Sequence, residues 1–168
     1  MSAPAERRSV YVAAGSNVEP KRRLREALGL LRQDFPDLVA SNAYRNVAVG
    51  FAGEDFINLA VGFSTDLELD ALLARLHAVE LACGRPRLAP KWEPRSMDLD
   101  VLLCGDLVGE FPGVTLPRPD LVRRAFMLGP LADIAGTVRH PTAGVTIGEL
   151  WRGFDQGAHP LVPVSLTD

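Results

Sequence analysis

Lys91-Trp92-Glu93-Pro94-Arg95-Ser96-Met97-Asp98-Leu99-Asp100-Val101 sets cations, an indole ring and two carboxylates directly ahead of a β-like apolar run. Read as a strand over residues 97–103, the run alternates faces. Met97, Leu99 and Val101 turn into a core, while Asp98 and Asp100 share the opposite face. Two residues of strand rise separate the carboxylates by roughly 7 Å. That spacing suits a pair of hard cations bridged by phosphate oxygens, because two-metal sites hold their ions about 3.5–4 Å apart with ligands flanking them.

Immediately upstream, Arg85, Arg87, Lys91 and Arg95 stand against Glu93, four cations against one anion in a chain of formal net charge -3. Placed before two acidic ligands, such a loop is a phosphate-handling arrangement. The plainer alternative is a solvated loop paired to the strand carboxylates. Trp92 either stacks on a heterocycle or covers the sheet edge. No Walker-type loop, no Gly-x-Gly-x-x-Gly after a strand and no Gly-x-Ser-x-Gly elbow occurs, so phosphoryl chemistry here needs another scaffold.

Five further elements precede this strand. Residues 9–14 are β-branched and aromatic enough for a first strand, closed by Gly15-Ser16-Asn17, which is either a plain turn or a backbone approach to a ligand. Leu24, Ala27, Leu28 and Leu31 mark an amphipathic helix that starts at Pro20 and ends at Phe35-Pro36-Asp37. A second strand covers residues 39–45, and a looser connection with two glycines covers residues 46–55. In a third strand over 56–64, Phe56, Asn58, Ala60 and Gly62 share one face, and Ile57, Leu59, Val61 and Phe63 form the apolar one. A second helix, from residue 66 or 70 to Cys83, carries Leu69, Leu72, Leu73, Leu76 and Val79 and stops at Gly84.

Strand-helix-strand-strand-helix-strand is the α+β ferredoxin-like βαββαβ sandwich, with both helices on one sheet face and the other face free. Beyond Gly105 the sequence predicts Pro-rich turns, a short helix at 120–124, an apolar stretch at 126–134, a helical turn at 147–151 and a loosely held tail at 160–168. With 168 residues and 47% apolar content, one domain over 1–168 with its core at about 9–135 is expected.

The acidic balance argues against nucleic acid as a partner. No run of about eighteen apolar residues and no apolar leader occurs, so no membrane association and a cytoplasmic location are expected. Cys83 and Cys104 lack metal-ligand or disulfide spacing and read as core residues. Asn58 offers the donor and acceptor needed to read a pterin or purine edge, or is a half-exposed strand amide that reads nothing. His77 and Glu80 share a helix face at i, i+3, either as a surface contact or facing a nucleotide.

Ala14-Gly15-Ser16-Asn17, Phe56-Ile57-Asn58, Glu80 with Gly84-Arg85-Pro86-Arg87, the run from Trp92 to Asp100, and Pro117 with Arg124-Ala125-Phe126 together resemble the 6-hydroxymethyl-7,8-dihydropterin pyrophosphokinase family of folate biosynthesis. The resemblance covers about residues 10–134. It implies transfer of the ATP pyrophosphoryl group to the pterin hydroxymethyl oxygen with release of AMP, by a monomer acting on ATP and hydroxymethyldihydropterin. It further implies two Mg²⁺ ions on Asp98 and Asp100, and Arg85 and Arg95 as catalytic cations at the phosphates. His77, Glu80, Arg87, Lys91, Val101, Arg118 and Arg124 would bind ATP, and Val47, Val49, Phe56, Asn58, Trp92 and Phe126 would frame the pterin.

Several positions depart from the family's usual pattern. Asn46-Val47-Ala48 stands for Thr-Pro-Pro, Glu93 for glycine, Lys91 for arginine, His77 for glutamine, and Arg118-Pro119 for a histidine-led pair. These departures motivate an alternative, a catalytically altered nucleotide- or pterin-binding relative or an enzyme for a modified pterin.

Overall fold

The computed structural model describes residues 6–46, 56–84 and 97–167. Its centre is β1 (Arg8–Ser16), flanked on either side by β4 (Phe56–Thr65) and β5 (Asp98–Cys104), both antiparallel to it. With β3 (Ala43–Asn46) and β8 (Val162–Val164) the sheet runs β5-β1-β4-β3-β8, and β2 (Val39–Ala40) pairs with β4. Two helices, α1 (Pro20–Asp34) and α2 (Leu69–Ala82), connect the strands as the sequence predicts. The order is that of a ferredoxin-like α+β sandwich.

Alternation and helical periodicity build the first face. Leu24, Ala27, Leu28 and Leu31 of α1 and Leu72, Leu76 and Val79 of α2 are buried against Val10, Val12, Leu59, Val61, Leu99 and Val101. Met97 joins them, fully buried, so the strand that leads into the two aspartates is anchored from below. Gly84, at φ 96°, takes the left-handed conformation that ends α2.

The second face is not free. It is covered by α3 (Ala125–Ala135) and α4 (Ile147–Arg152), whose Met127, Leu128, Leu131 and Ile147 pack on Ala13, Ala60 and Leu102. The third strand is therefore buried on both sides. Pro130 lies inside α3, and the helix is apolar nearly all round, which explains why the sequence pattern yields only an apolar stretch there.

Three smaller expectations also need correction. The second strand is interrupted after Ala40, where the Ser41 hydroxyl accepts from the Ala60 N–H at 2.8 Å and pulls the chain out of simple pairing. The short helix at 120–124 is a 3-10 turn, Pro119–Val122, and the preceding turns contain a hairpin, β6 (Gly109–Phe111) with β7 (Val114–Leu116), that buries Val114 and Leu116. The tail is not loose. β8 pairs with β3, Val164 and Leu166 pack on the first cluster, and the Leu166 carbonyl accepts from Arg25.

Candidate active site

Register across the sheet sets the site. Asp98 of β5 is opposite Gly15 of β1, Gly15 is opposite Asn58 of β4, and Asn58 is opposite Tyr44 of β3. Residues in register share a face, so carboxylate, glycine, amide and phenol form one transverse row on the side of the sheet that carries α3. One line lower, Asp100 is opposite Ala13. Two strand spacings put Asp98 and Asn58 about 10 Å apart.

Gly15 is the low point of this row. A Cβ there would come within 2.4 Å of the Asn58 Oδ1, closer than real Cβ contacts allow, because the amide lies across the glycine. The Asn58 Nδ2 donates to the Asn46 Oδ1, which fixes the orientation of the amide. Asn58 is buried, as are Ser16 and Asn17 beyond it, and among the described residues the Asn17 Oδ1 is a buried acceptor with no donor.

Glu80 shapes the carboxylate end. It reaches from α2 to the outer edge of the sheet, where its Oε2 accepts from the Leu99 N–H at 2.9 Å. The residue is only 7% exposed, so the bond is shielded from water. It pins the backbone between Asp98 and Asp100. His77, largely exposed, sits 3.4 Å from the Glu80 Oε1 through its Nδ1, the surface contact the helix spacing predicts.

Arg118 follows the β6–β7 hairpin and returns to β5. Its Nη2 stands 3.3 Å from the Asp100 Oδ1, and its Nε donates to the Val101 carbonyl at 3.2 Å. The Val101 side chain is buried in the first cluster, so at the site this residue offers only its backbone. Phe56 opens β4 opposite Asn46, Phe126 packs at the edge of the second cluster, and Arg124 is exposed at the N-terminus of α3.

The structure thus brings Asp98, Asp100, Arg118, Glu80 and Asn58 onto or around three adjacent strands. Val47, Val49, Arg85, Arg87, Lys91, Trp92 and Arg95 lie outside the described residues. Sequence reasoning missed the Asn46–Asn58 bond and the Asp100–Arg118 pair, and of its two alternatives for Gly15, a plain turn or a backbone approach to a ligand, neither included the close approach of Asn58.

Among the described residues no group of three or more His, Cys, Asp or Glu side chains forms a metal cage. Two partly exposed carboxylates on one strand face suit Mg²⁺ instead, which keeps several waters and takes its remaining oxygens from substrate phosphates. A cavity of about 320 Å³ lined by Tyr44, Asp133, Trp151 and Gln156 lies under the C-terminal segment and includes neither Asp98 nor Asp100. There the Tyr44 hydroxyl donates to Asp133 at 2.7 Å, and burial, with that carboxylate adding to it, raises the phenol above its ordinary pKa.

The model of the 7,8-dihydro-6-hydroxymethylpterin-pyrophosphokinase (HPPK) family matches residues 11–136. A 2-amino-4-hydroxy-6-hydroxymethyldihydropteridine pyrophosphokinase of Pseudomonas aeruginosa is 39% identical over 137 residues, covering 79% of this chain and 83% of that protein. The Bacillus subtilis protein of the same name is 32% identical over 160 residues, covering 89% of this chain and 95% of its own. Among solved structures, an HPPK-DHPS in complex with substrates superposes with a TM-score of 0.69 at 13% identity, covering 91% of this chain and 44% of that one. At that identity the superposition speaks to the fold alone, and this chain spans less than half of the solved polypeptide.

Proposed function

Because the chain belongs to the 7,8-dihydro-6-hydroxymethylpterin-pyrophosphokinase family, we propose that it moves the β- and γ-phosphates of ATP together onto the hydroxymethyl oxygen of 6-hydroxymethyl-7,8-dihydropterin, releasing AMP, on the face that carries Asp98, Gly15 and Asn58. It is an ATP-dependent pyrophosphokinase. The observation that carries the site is the register row, which sets a carboxylate and a heterocycle-reading amide two strands apart with a glycine between them.

In this reading Asp98 and Asp100 would hold two Mg²⁺ ions, which would supply charge neutralisation at the phosphates. Arg118 and Arg124 take the triphosphate, with His77, Glu80 and the Val101 backbone beside the nucleotide. Phe56, Asn58 and Phe126 frame the pterin, and the amide supplies one donor and one acceptor to its edge. On the sequence pattern alone, Arg85 and Arg95 stabilise the phosphates, Arg87 and Lys91 grip them, and Val47, Val49 and Trp92 complete the pterin pocket. Phosphoryl transfer asks for alignment and charge neutralisation more than for a strong base, and this constellation supplies both.

We further propose that the chain works as one cytoplasmic domain and as a monomer on small molecules, without nucleic acid or membrane. Both hydrophobic clusters share one sheet, which supports the single-domain reading. Among the described residues no helix is long and apolar enough to cross a membrane.

A second reading, an enzyme for a modified pterin, draws on Asn46, whose side chain binds the Asn58 amide where the family usually begins Thr-Pro-Pro. Incubation with ATP, Mg²⁺ and either the standard or a substituted hydroxymethylpterin tests both. AMP formed with the standard pterin supports the first, and AMP formed only with the substituted one supports the second. ADP, or no nucleotide product with either, overturns both.

A further inference from the structure

Asp100 already has a cationic partner. Three contacts plant Arg118 along the outer edge of β5: its backbone N–H donates to the Leu102 carbonyl at 3.0 Å, its Nε to the Val101 carbonyl at 3.2 Å, and its Nη2 lies 3.3 Å from the Asp100 Oδ1. The pair is open to ions, because the Asp100 side chain is 38% exposed and that of Arg118 26%. A divalent cation arriving at Asp100 meets a positive charge already beside its ligand.

Two arrivals then have different consequences. A free cation displaces the guanidinium and gives it no new partner. A cation carried by a nucleotide brings phosphate oxygens, and the planar fork of arginine suits phosphate as well as carboxylate. The guanidinium is one rigid plane, so turning its terminal nitrogens to a phosphate also turns the Nε–H from the Val101 carbonyl, while the backbone N–H keeps its bond to the Leu102 carbonyl and holds the residue at the strand.

We propose that Arg118 is a built-in counter-cation of the metal site: it occupies Asp100 until a metal–nucleotide complex arrives, then transfers to the phosphates, so that free metal binds weakly and metal enters with its nucleotide. This rests on the reading of Asp98 and Asp100 as metal ligands. Arg118 is in this sense a positioning residue for the first loading step as well as a phosphate ligand after it.

Binding of Mn²⁺ alone to the full chain, followed by the loss of the free-ion electron paramagnetic resonance signal, tests the proposal without reference to turnover. Arg118→Gln is expected to bind free Mn²⁺ about fivefold more tightly than the wild type, the size expected for releasing a half-exposed ion pair. Mn²⁺ with a non-hydrolysable ATP analogue is expected to bind the variant more weakly than the wild type. Arg118→Lys, which keeps the charge, is expected to stay near the wild-type free-metal affinity. Arg118→His at about pH 8, where imidazole is neutral, repeats the first comparison should the glutamine variant fail to fold. The same free-Mn²⁺ affinity in the wild type and in a folded neutral variant, or a lower one in the variant, would overturn the counter-cation role and leave the proposed function standing. Mn²⁺ binding that is absent from every form with and without nucleotide, or untouched by Asp100→Asn, would overturn both.

Discussion

Gly15 and Asn58 are one unit, since the amide of the second occupies the space a side chain on the first would need. Gly15→Ala is accordingly expected to displace the Asn58 amide and weaken pterin binding at least tenfold, with a smaller effect on nucleotide binding; calorimetric titration with each ligand separates the two. Glu80 is a second such unit with the Leu99 N–H. Glu80→Ala leaves a buried donor without an acceptor, at a cost of about 1–3 kcal/mol, and Glu80→Gln, which keeps an acceptor oxygen, is expected to recover most of it in chemical denaturation. Equal stability of the two variants would contradict the pinning role. Asp98→Ala is expected to abolish AMP release while keeping a cooperative melt, because a carboxylate on the strand face contributes little to the core. A lost melt would count against that separation of roles.

The elements differ in how far periodicity reveals them. Leu24, Ala27, Leu28 and Leu31 write a helix face plainly, and Asp98 and Asp100 alternating with Met97, Leu99 and Val101 write the strand that carries the carboxylates. Pro130 and an apolar surround hide α3, and Pro163 between an exposed Val162 and a half-buried Val164 hides β8, whose pairing depends on a distant edge. The Asp100–Arg118 pair is hidden for the same reason, since only the return of the chain after the β6–β7 hairpin brings the two side chains together. The turn between α3 and α4 adds a pH-sensitive element. His140, buried, accepts through its Nδ1 from the backbone N–H groups of Thr142 and Ala143, at 3.2 and 3.0 Å, and so is held neutral. Burial lowers its pKa from the ordinary 6.5. The unfolded chain therefore binds the proton more readily, and the contribution of this residue is complete above about pH 6.5 and lost as pH falls through the lowered folded value. Melting temperature followed from pH 7.5 to 5 is expected to drop more steeply in the wild type than in His140→Asn; parallel profiles would contradict this.

At the scale of the molecule, one sheet divides the work. Its first face, under α1 and α2, is a continuous apolar core, and Met97, Leu99 and Val101 tie the carboxylate strand to it. Its second face is apolar only where α3 and α4 cover it, and the register row turns that same face polar towards Asp98, Gly15 and Asn58. The ferredoxin-like order places β1 between β4 and β5, so the strand of Asp98 and Asp100 and the strand of Asn58 are held by a common neighbour and cannot shift independently. The central claim is that this row is the place where nucleotide and pterin meet. A crystal structure with Mg²⁺, a non-hydrolysable ATP analogue and hydroxymethylpterin measures it most directly. The account predicts metal density on both Asp98 and Asp100, the Arg118 guanidinium turned from Asp100 to a phosphate, and the pterin edge hydrogen-bonded to Asn58. Ligands seated elsewhere, with the Asp100–Arg118 pair intact and nothing bound to Asn58, would contradict it.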